Sequence, residues 1–257
     1  MQELIHTVEK QNMSNNLTDR NYWKDYWQSY EYRKVPQKMF FDRYISLQMA
    51  GKSFIEIGGF PGTMPIYFYK KYQAAVSLLD FYIDKEMVVK LESTNEIPQG
   101  TVECIESDFF AFKAEKQYDI VFSFGFIEHF EDTQDVIKRH LNLLAPNGNL
   151  LIILPNFLGL NGRIQRRFDR ENFEAHNLKS MEIPHLKEIL RCFNLDNVCV
   201  EYNRKPIVWL EPKATVSPFL RKMVKMLSYA LKFFPIKGRF LSPYIVISAK
   251  KQMKQSQ

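Results

Sequence analysis

Short apolar runs of strand length alternate with amphipathic stretches from residue 53 to near the end of the chain. SFIEI (53–57), AAVSLLD (74–80), TVECI (101–105), YDIVFSF (118–124), NLLIILP (149–155), residues 197–202 and PYIVISAK (243–250) read as strands. Between them, residues 63–72, Asp84 to about Glu92, 132–144, MEIPHLKEILRCF (181–193) and 216–234 read as helices, with Pro65 confined to a first turn. Asn147-Gly148 marks a turn before the fifth strand. Runs such as LLIIL are apolar on both faces, as expected of strands covered by helices on each side. This alternation predicts βαβ units with right-handed crossovers and a mostly parallel sheet. From Tyr22 to about Met49 the spacing is helical. Trp23, Tyr26, Trp27 and Tyr30 fall at i, i+3, i+4 and i+7, a stripe that faces the core or forms a lid over the site.

In sheets of this kind, ligands bind beyond the carboxyl ends of the strands. Gly58, Gly59 and Gly62 follow SFIEI, three of only 10 glycines in the chain. Glycine there allows a tight turn and close approach of backbone to ligand, and the next helix offers free N–H groups to an anion or carboxylate. A dinucleotide fingerprint would need glycines at 58, 60 and 63. Phe60 and Thr63 stand there instead, which disfavours a nicotinamide-dependent dehydrogenase. At the second strand end, Asp80 can accept two hydrogen bonds from a ribose, and Phe81 can lie against a purine. At the third, Ser107-Asp108-Phe109 offers a carboxylate to an exocyclic adenine amine. At the fourth, SFGFIEHF (123–130) places a glycine and several polar groups after a buried strand. Each feature alone is equally a turn, a helix cap at Asp80 or Asp108, or a core aromatic at Phe81, Phe109 or Phe126.

EIGGFPG, LLD, ESDFF, YDIVFSFGFIEHF and APNGNLLIILPN follow one another in the order and spacing of class I S-adenosylmethionine-dependent methyltransferases. Residues from about 50 to 156 resemble that family, and in particular its small-molecule branch, with weaker support from PYIVISAK. The resemblance implies an α/β, doubly wound, Rossmann-like sheet of seven strands in order 3-2-1-4-5-7-6, with the last strand antiparallel and helices on both faces. It implies a methyltransferase domain over 50–257, preceded by an aromatic segment, 1–49, acting as a lid, and S-adenosyl-L-methionine as cofactor. Glu56 with Gly58, Gly59 and Gly62 would hold the methionine end. Asp80 would hold the ribose, Phe81 the adenine face, and Asp108 the adenine amine with Phe109 beside it. Ser123 and Phe124 would line the floor near the sulfonium. The family loop usually reads E/D-x-G-x-G-x-G, and Phe60 replaces its middle glycine. That departure implies a different bend and supports the alternative of a non-catalytic binding or regulatory protein. The base-modifying members carry Asn/Asp-Pro-Pro-Tyr/Phe after the fourth strand. SFGF stands there, which argues against a nucleic-acid base as acceptor.

Methyl transfer from a sulfonium is an in-line displacement at an already activated carbon, so placement of the acceptor supplies much of the acceleration. A general base is needed only where the acceptor must lose a proton. His129, beside Glu128, and His176, in FEAHNLKSM, are the candidates, against readings of the first pair as loop support and of His176 as a surface residue. His6, His140 and His185 read as solvated or packing residues, and no metal-ligand spacing stands out along the chain.

Charge adds one feature. The net charge is +6, yet residues 203–257 carry 12 Lys/Arg against the single acid Glu211. VSPFLRKMVKMLSYALKFFP sets Arg221, Lys222, Lys225, Ser228 and Lys232 near one line, opposite a wide apolar face that includes Phe219, Leu220, Met223, Val224, Leu227, Leu231 and Phe234. Such a helix lies in a membrane interface with its cations on anionic lipid, packs on the sheet, or makes a homodimer contact. The expected acceptor is a small molecule, anionic or lipid-linked, methylated at oxygen or nitrogen, with the basic amphipathic insertion 203–242 near it. Composition is that of a globular protein, with 46% hydrophobic and 25% charged residues. The polar start MQELIHTVEK, the unpatterned Cys104, Cys192 and Cys199, and the lack of a spanning apolar run predict a cytoplasmic protein with peripheral membrane contact.

Overall fold

The computed structural model describes residues 27, 30–45, 50–210, 216–231, 233–234 and 236–253. Trp23, Tyr26 and Lys232, named above, lie outside them. The strands are β1 (Ser53–Ile57), β2 (Ala75–Asp80), β3 (Val102–Glu106), β4 (Tyr118–Phe124), β5 (Leu144–Pro155), β6 (Leu195–Asn203) and β7 (Tyr244–Lys251). The helices are α1 (Thr63–Tyr72), α2 (Lys85–Thr94), α3 (Thr133–Leu143), α4 (Leu160–Phe168), α5 (Arg170–Glu174), α6 (Ile183–Arg191) and α7 (Pro218–Leu231). They form one seven-stranded sheet in the order β3-β2-β1-β4-β5-β7-β6, in agreement with the sequence reading. The pairs from β3 across to β5 are parallel, and β7 runs antiparallel to both β5 and β6.

Alternation along the strands explains why both faces are covered. Ile55, Ile57, Val121, Ile152 and Ile247 point to one face, where they meet Val136 and Leu141 of α3 and Leu186 and Ile189 of α6. Their neighbours Phe54, Leu78, Phe122, Ile153 and Val246 point to the other, against Ile66 and Phe68 of α1 and Val88 and Leu91 of α2. Each such fully buried side chain stabilises the fold by about 1.5–3 kcal/mol. Asp84 caps α2 by accepting from the Glu86 and Met87 N–H groups (2.9 and 3.2 Å), and Asp132 caps α3 through the Asp135 N–H (2.9 Å).

Three segments depart from the sequence reading. In the first, among the described residues, Trp27 is helical, residues 30–40 are not, and Asp42–Tyr44 forms a 3-10 turn. Pro36 removes a backbone donor and restricts Val35, and tertiary partners take the neighbouring donors. The Val35 N–H donates to Asn95 Oδ1 (2.7 Å), and the Met39 N–H to Asp42 Oδ2 (3.0 Å) and Tyr67 Oη (3.1 Å). The segment is thereby clasped to α1 and α2. The region after β5 holds α4, α5 and a 3-10 turn (Leu178–Met181) that the sequence leaves unassigned. Gly159, Asn161, Gly162 and Asp169 dilute its helical pattern. Finally, α7 stops at Leu231 rather than near Phe234.

Candidate functional site

The parallel strands deliver their carboxyl ends to one edge of the sheet, and two adjoining cavities open there. The first, of ≈ 70 Å³, lies among Gly58, Asp80, Phe81, Asp108 and Phe126. The second, of ≈ 330 Å³, lies among the Glu56–Met64 loop, Glu128, His176, Trp209 and Tyr244. Trp27, Gly58, Gly125 and His129 line both.

The loop after β1 shows why glycine is required there. Gly58 has φ +67°, a conformation costly for other residues, and its N–H donates to Leu79 O across to β2 (2.8 Å). A Cβ on Gly58 would sit 2.1 Å from the Phe126 ring, and one on Gly59 would sit 1.8 Å from the Glu56 carboxyl carbon. Gly62 occupies the N-cap of α1. Phe60 is joined to Pro61 by a cis peptide and lines the second cavity. It is 2% exposed and lies edge-on to Trp27 (5.7 Å) and Tyr82 (5.6 Å).

Asp80 ends β2 and fixes this loop. Its Oδ2 accepts from the Phe60 N–H (3.0 Å) and its Oδ1 from the Tyr82 N–H (3.3 Å). Each oxygen keeps capacity for a further donor. Burial pushes the Asp80 carboxyl up to about 6 despite those donors. Glu56 is raised well above the usual carboxylate range, first by burial and then by the Asp80 charge. Its Oε2 is buried with no hydrogen-bond partner. Asp108 lines the first cavity with its Oδ1 accepting from the Phe110 N–H (2.7 Å), and Phe81 stands 41% exposed at the mouth. A buried carboxylate without a donor, a glycine turn tight against it and two further carboxylates at adjacent strand tips fit a ligand carrying an ammonium, a diol and an exocyclic amine.

One predicted contact takes another place. Ser123 lines neither cavity. It is fully buried, and its hydroxyl meets His140 Nε2 (3.0 Å) on the α3 side of the sheet. Strand alternation puts Phe124, not Ser123, on the second cavity. Phe109 lines the first cavity beside Asp108, its ring 7% exposed and edge-on to His140 and Phe126, 5.2 Å from each. His140 is therefore an interior histidine whose Nδ1 donates to Val136 O (2.8 Å), and burial lowers it to about 4.

Glu128 and His129 occupy a 3-10 turn (Ile127–His129) directly after β4. The Asn177 N–H donates to Glu128 O (2.7 Å) and Asn177 Nδ2 to Phe130 O (2.9 Å), which clamps that turn to the chain following α5. His129 Nδ1 donates to Ala175 O (3.0 Å), and His176 Nδ1 to Asn172 O (2.6 Å). The two rings lie 4.7 Å apart. Burial pushes Glu128 up to about 8. Burial and then the neighbouring His176 push His129 down to about 3. At neutral pH His129 is thus an uncharged imidazole.

Trp209 and Tyr244, stacked at 5.6 Å, and Phe157 complete the walls of the second cavity. The sequence reading missed them. Tyr244 opens β7, and the antiparallel course of that strand brings its first residue to the same edge as the ends of the others. That signal was available. Nothing local in PIVWL marks Trp209.

A model of the family described as "Methyltransferase domain" matches residues 24–200, more than half of the chain. A search of curated proteins finds no match. Among solved structures 886 chains match, so the shared fold by itself selects no acceptor. Phosphoethanolamine N-methyltransferase 2 of Haemonchus contortus, solved with phosphomonomethylethanolamine and S-adenosylhomocysteine, aligns with a TM-score of 0.57 at 16% identity, over 83% of this chain and 52% of that one. This chain thus spans about half the length of that relative. A SAM-dependent methyltransferase from Archaeoglobus fulgidus aligns with a TM-score of 0.53 at 18% identity, over 82% of this chain and 91% of that one. The plantazolicin methyltransferase BpumL, with a desmethylplantazolicin analogue and S-adenosylhomocysteine, gives 0.51 at 14% identity, over 79% and 77%. At these identities the likeness is one of fold.

Proposed function

The chain belongs to the methyltransferase-domain family, and from that premise we propose that it transfers a methyl group from S-adenosyl-L-methionine to oxygen or nitrogen of a small acceptor, anionic or lipid-linked and presented at a membrane surface. When bound, the cofactor supplies an electrophilic methyl group on a sulfonium. Glu56 and the turn from Gly58 through Gly59 to Gly62 hold its methionine end. Asp80 holds the ribose, Phe81 covers the adenine face and Asp108 receives the adenine amine. The supporting observation is that Gly58, Asp80 and Asp108, from the ends of three adjacent strands, border one cavity. Calorimetric titration with S-adenosylhomocysteine tests the binding half of this reading. Transfer of radiolabelled methyl groups into a cell extract tests the catalytic half. An unmodified extract, under conditions where S-adenosylhomocysteine binds, would leave only the non-catalytic alternative. That alternative draws its support from Phe60, which stands where the family loop carries its middle glycine.

The second cavity receives the acceptor. Phe124, Phe157, Trp209 and Tyr244 exclude water there, while Glu128, His129 and His176 orient the acceptor. Residues 1–49 act as a lid through Trp27, which borders both cavities, anchored by the contact between Tyr30 Oη and Thr63 Oγ1 (3.0 Å). Residues 50–257 form the methyltransferase domain, with 203–242 as an insertion before its last strand.

The insertion is the proposed membrane contact. Leu220, Val224 and Leu231 of α7 pack on Ile164 and Val208, and the Val208 N–H donates to Ser228 Oγ (3.3 Å). The rest of the helix faces outward. Phe219, Met223 and Met226, at i, i+4 and i+7, are 72%, 49% and 59% exposed, flanked by the exposed Lys222 and Lys225. An apolar stripe bordered by cations suits an anionic lipid surface. Val208, which packs on the inner face of the helix, precedes Trp209 in the cavity wall, so the helix is joined to that wall through one residue.

A further inference from the structure

We infer that Glu128, His129 and His176 bind a divalent first-row transition-metal ion, of the zinc, cobalt or iron(II) kind, at the wall of the second cavity. One ligand-type atom from each of the three lies within 4.8 Å of the others. The hydrogen bonds fix the tautomer of each ring. His129 donates through Nδ1 to Ala175 O, and His176 through Nδ1 to Asn172 O. A carbonyl oxygen can only accept, so in each neutral ring Nδ1 carries the hydrogen and Nε2 the lone pair. This is the arrangement in which ligating histidines are held, with the far nitrogen bound to a carbonyl and the near one directed at the metal. The third group, Glu128, is 0% exposed, lines the cavity, and has neither carboxylate oxygen in a hydrogen bond.

The three side chains thus come together in a water-poor wall. A buried carboxylate with neither oxygen in a hydrogen bond is unfavourable until something positive stands beside it, and a divalent cation shared by Glu128 and the two neighbouring imidazoles supplies that charge. The backbone holds the convergence in place. Glu128 and His129 share one short turn, pinned through Glu128 O by the Asn177 N–H, and Asn177 follows His176 directly. Two imidazoles and a carboxylate suit zinc and its neighbours better than calcium or magnesium, which prefer all-oxygen sets. With three protein ligands, further coordination positions open toward the cavity, as in catalytic rather than structural sites. Granted the methyltransferase reading proposed above, on which this one point rests, a metal there would bind the acceptor's oxygen and favour a hydroxyl over an amine.

The test is direct metal binding. Protein stripped with a chelator, in a Cys192→Ser background that removes the exposed thiol, is titrated with Zn2+ by calorimetry and with Co2+ by visible absorption. The expected result is one ion per chain, with cobalt bands typical of nitrogen and oxygen ligands. Glu128→Gln and His176→Gln should each weaken binding by more than the roughly 10–100-fold that losing only a hydrogen-bond partner behind a ligand costs. A cooperative thermal transition for each variant shows that it has folded. Absence of binding by the stripped protein overturns the inference, as does equal affinity in both folded variants. Failure of S-adenosylhomocysteine to bind would instead sink the methyltransferase reading, and the metal titration is read independently of it.

Discussion

Asp80 joins two tasks in one side chain. Each of its oxygens takes a backbone N–H, from Phe60 and from Tyr82, so the carboxylate shapes the loop that it is proposed to share with the ribose. Asp80→Ala removes charge-assisted bonds worth about 1.5–3 kcal/mol each and also releases the loop. The expected outcome is a loss of more than about 100-fold in S-adenosylhomocysteine affinity by calorimetry. Unchanged affinity would mean that the ribose lies elsewhere. Gly58 is constrained twice, by its positive φ and by the Phe126 ring. Gly58→Ala should destabilise the protein by about 1–3 kcal/mol, read as a lower midpoint in denaturant. A midpoint equal to that of wild type would show that the loop has another path.

At the scale of the element, α7 leaves several large apolar side chains exposed, among them Phe219, Met223 and Met226. Of the residues in this helix only Val224 is buried. Because Phe219 and Met226 face outward, replacing both by Asp leaves the seam of Leu220, Val224 and Leu231 intact. The double variant should keep the wild-type melting temperature to within a few degrees and stop sedimenting with anionic vesicles. Neutral vesicles should retain little of either protein, since each cation near an anionic surface adds about 1 kcal/mol. Equal partitioning of wild-type protein onto neutral and anionic vesicles, or none onto either, would remove the membrane reading. A dimer contact would show instead as a concentration-dependent mass.

For the whole molecule, the proposed cofactor site lowers the stability of the free protein. The Asp80 carboxyl titrates near 6 in the fold, against about 3.9 in an unfolded chain. Below the lower value both states hold the proton and the fold carries no penalty. Between the two the unfolded chain has released its proton first, so stability falls as pH rises, and it stays lowered at neutral pH. Glu56, raised by burial and by Asp80, acts in the same direction. The paired carboxylates Asp42 and Asp119 are shifted downward and lose their contribution only at lower pH, outside this window. Asp80→Asn should therefore gain about 1–3 kcal/mol relative to wild type between pH 4 and pH 7 in denaturant titrations. A difference that does not vary with pH would place the carboxyl in a wetter setting. Saturation with S-adenosylhomocysteine should offset the cost in wild type, by about 2.7 kcal/mol at a hundred times its dissociation constant.

The succession of strands and helices, and with it the residues at the strand tips, follows from local periodicity alone. Periodicity is imposed locally by the faces a strand or helix must bury, and parallel strands necessarily bring their ends to one edge. Gly58, Asp80 and Asp108 were legible for that reason, and so were Glu128 and His129 as neighbours after β4. Only the tertiary structure decided what depends on chain segments distant from one another. Residues 30–40 gave up helix because Asn95 and Tyr67 supplied partners that a helix would have had to compete with. Ser123 turned to His140 because the pleat sends alternate residues to opposite faces, and the partner on each face comes from elsewhere in the chain. His176 met Glu128 and His129 because Asn177 bonds the turn after β4. No local pattern encodes such a meeting, since it arises from where two backbones cross.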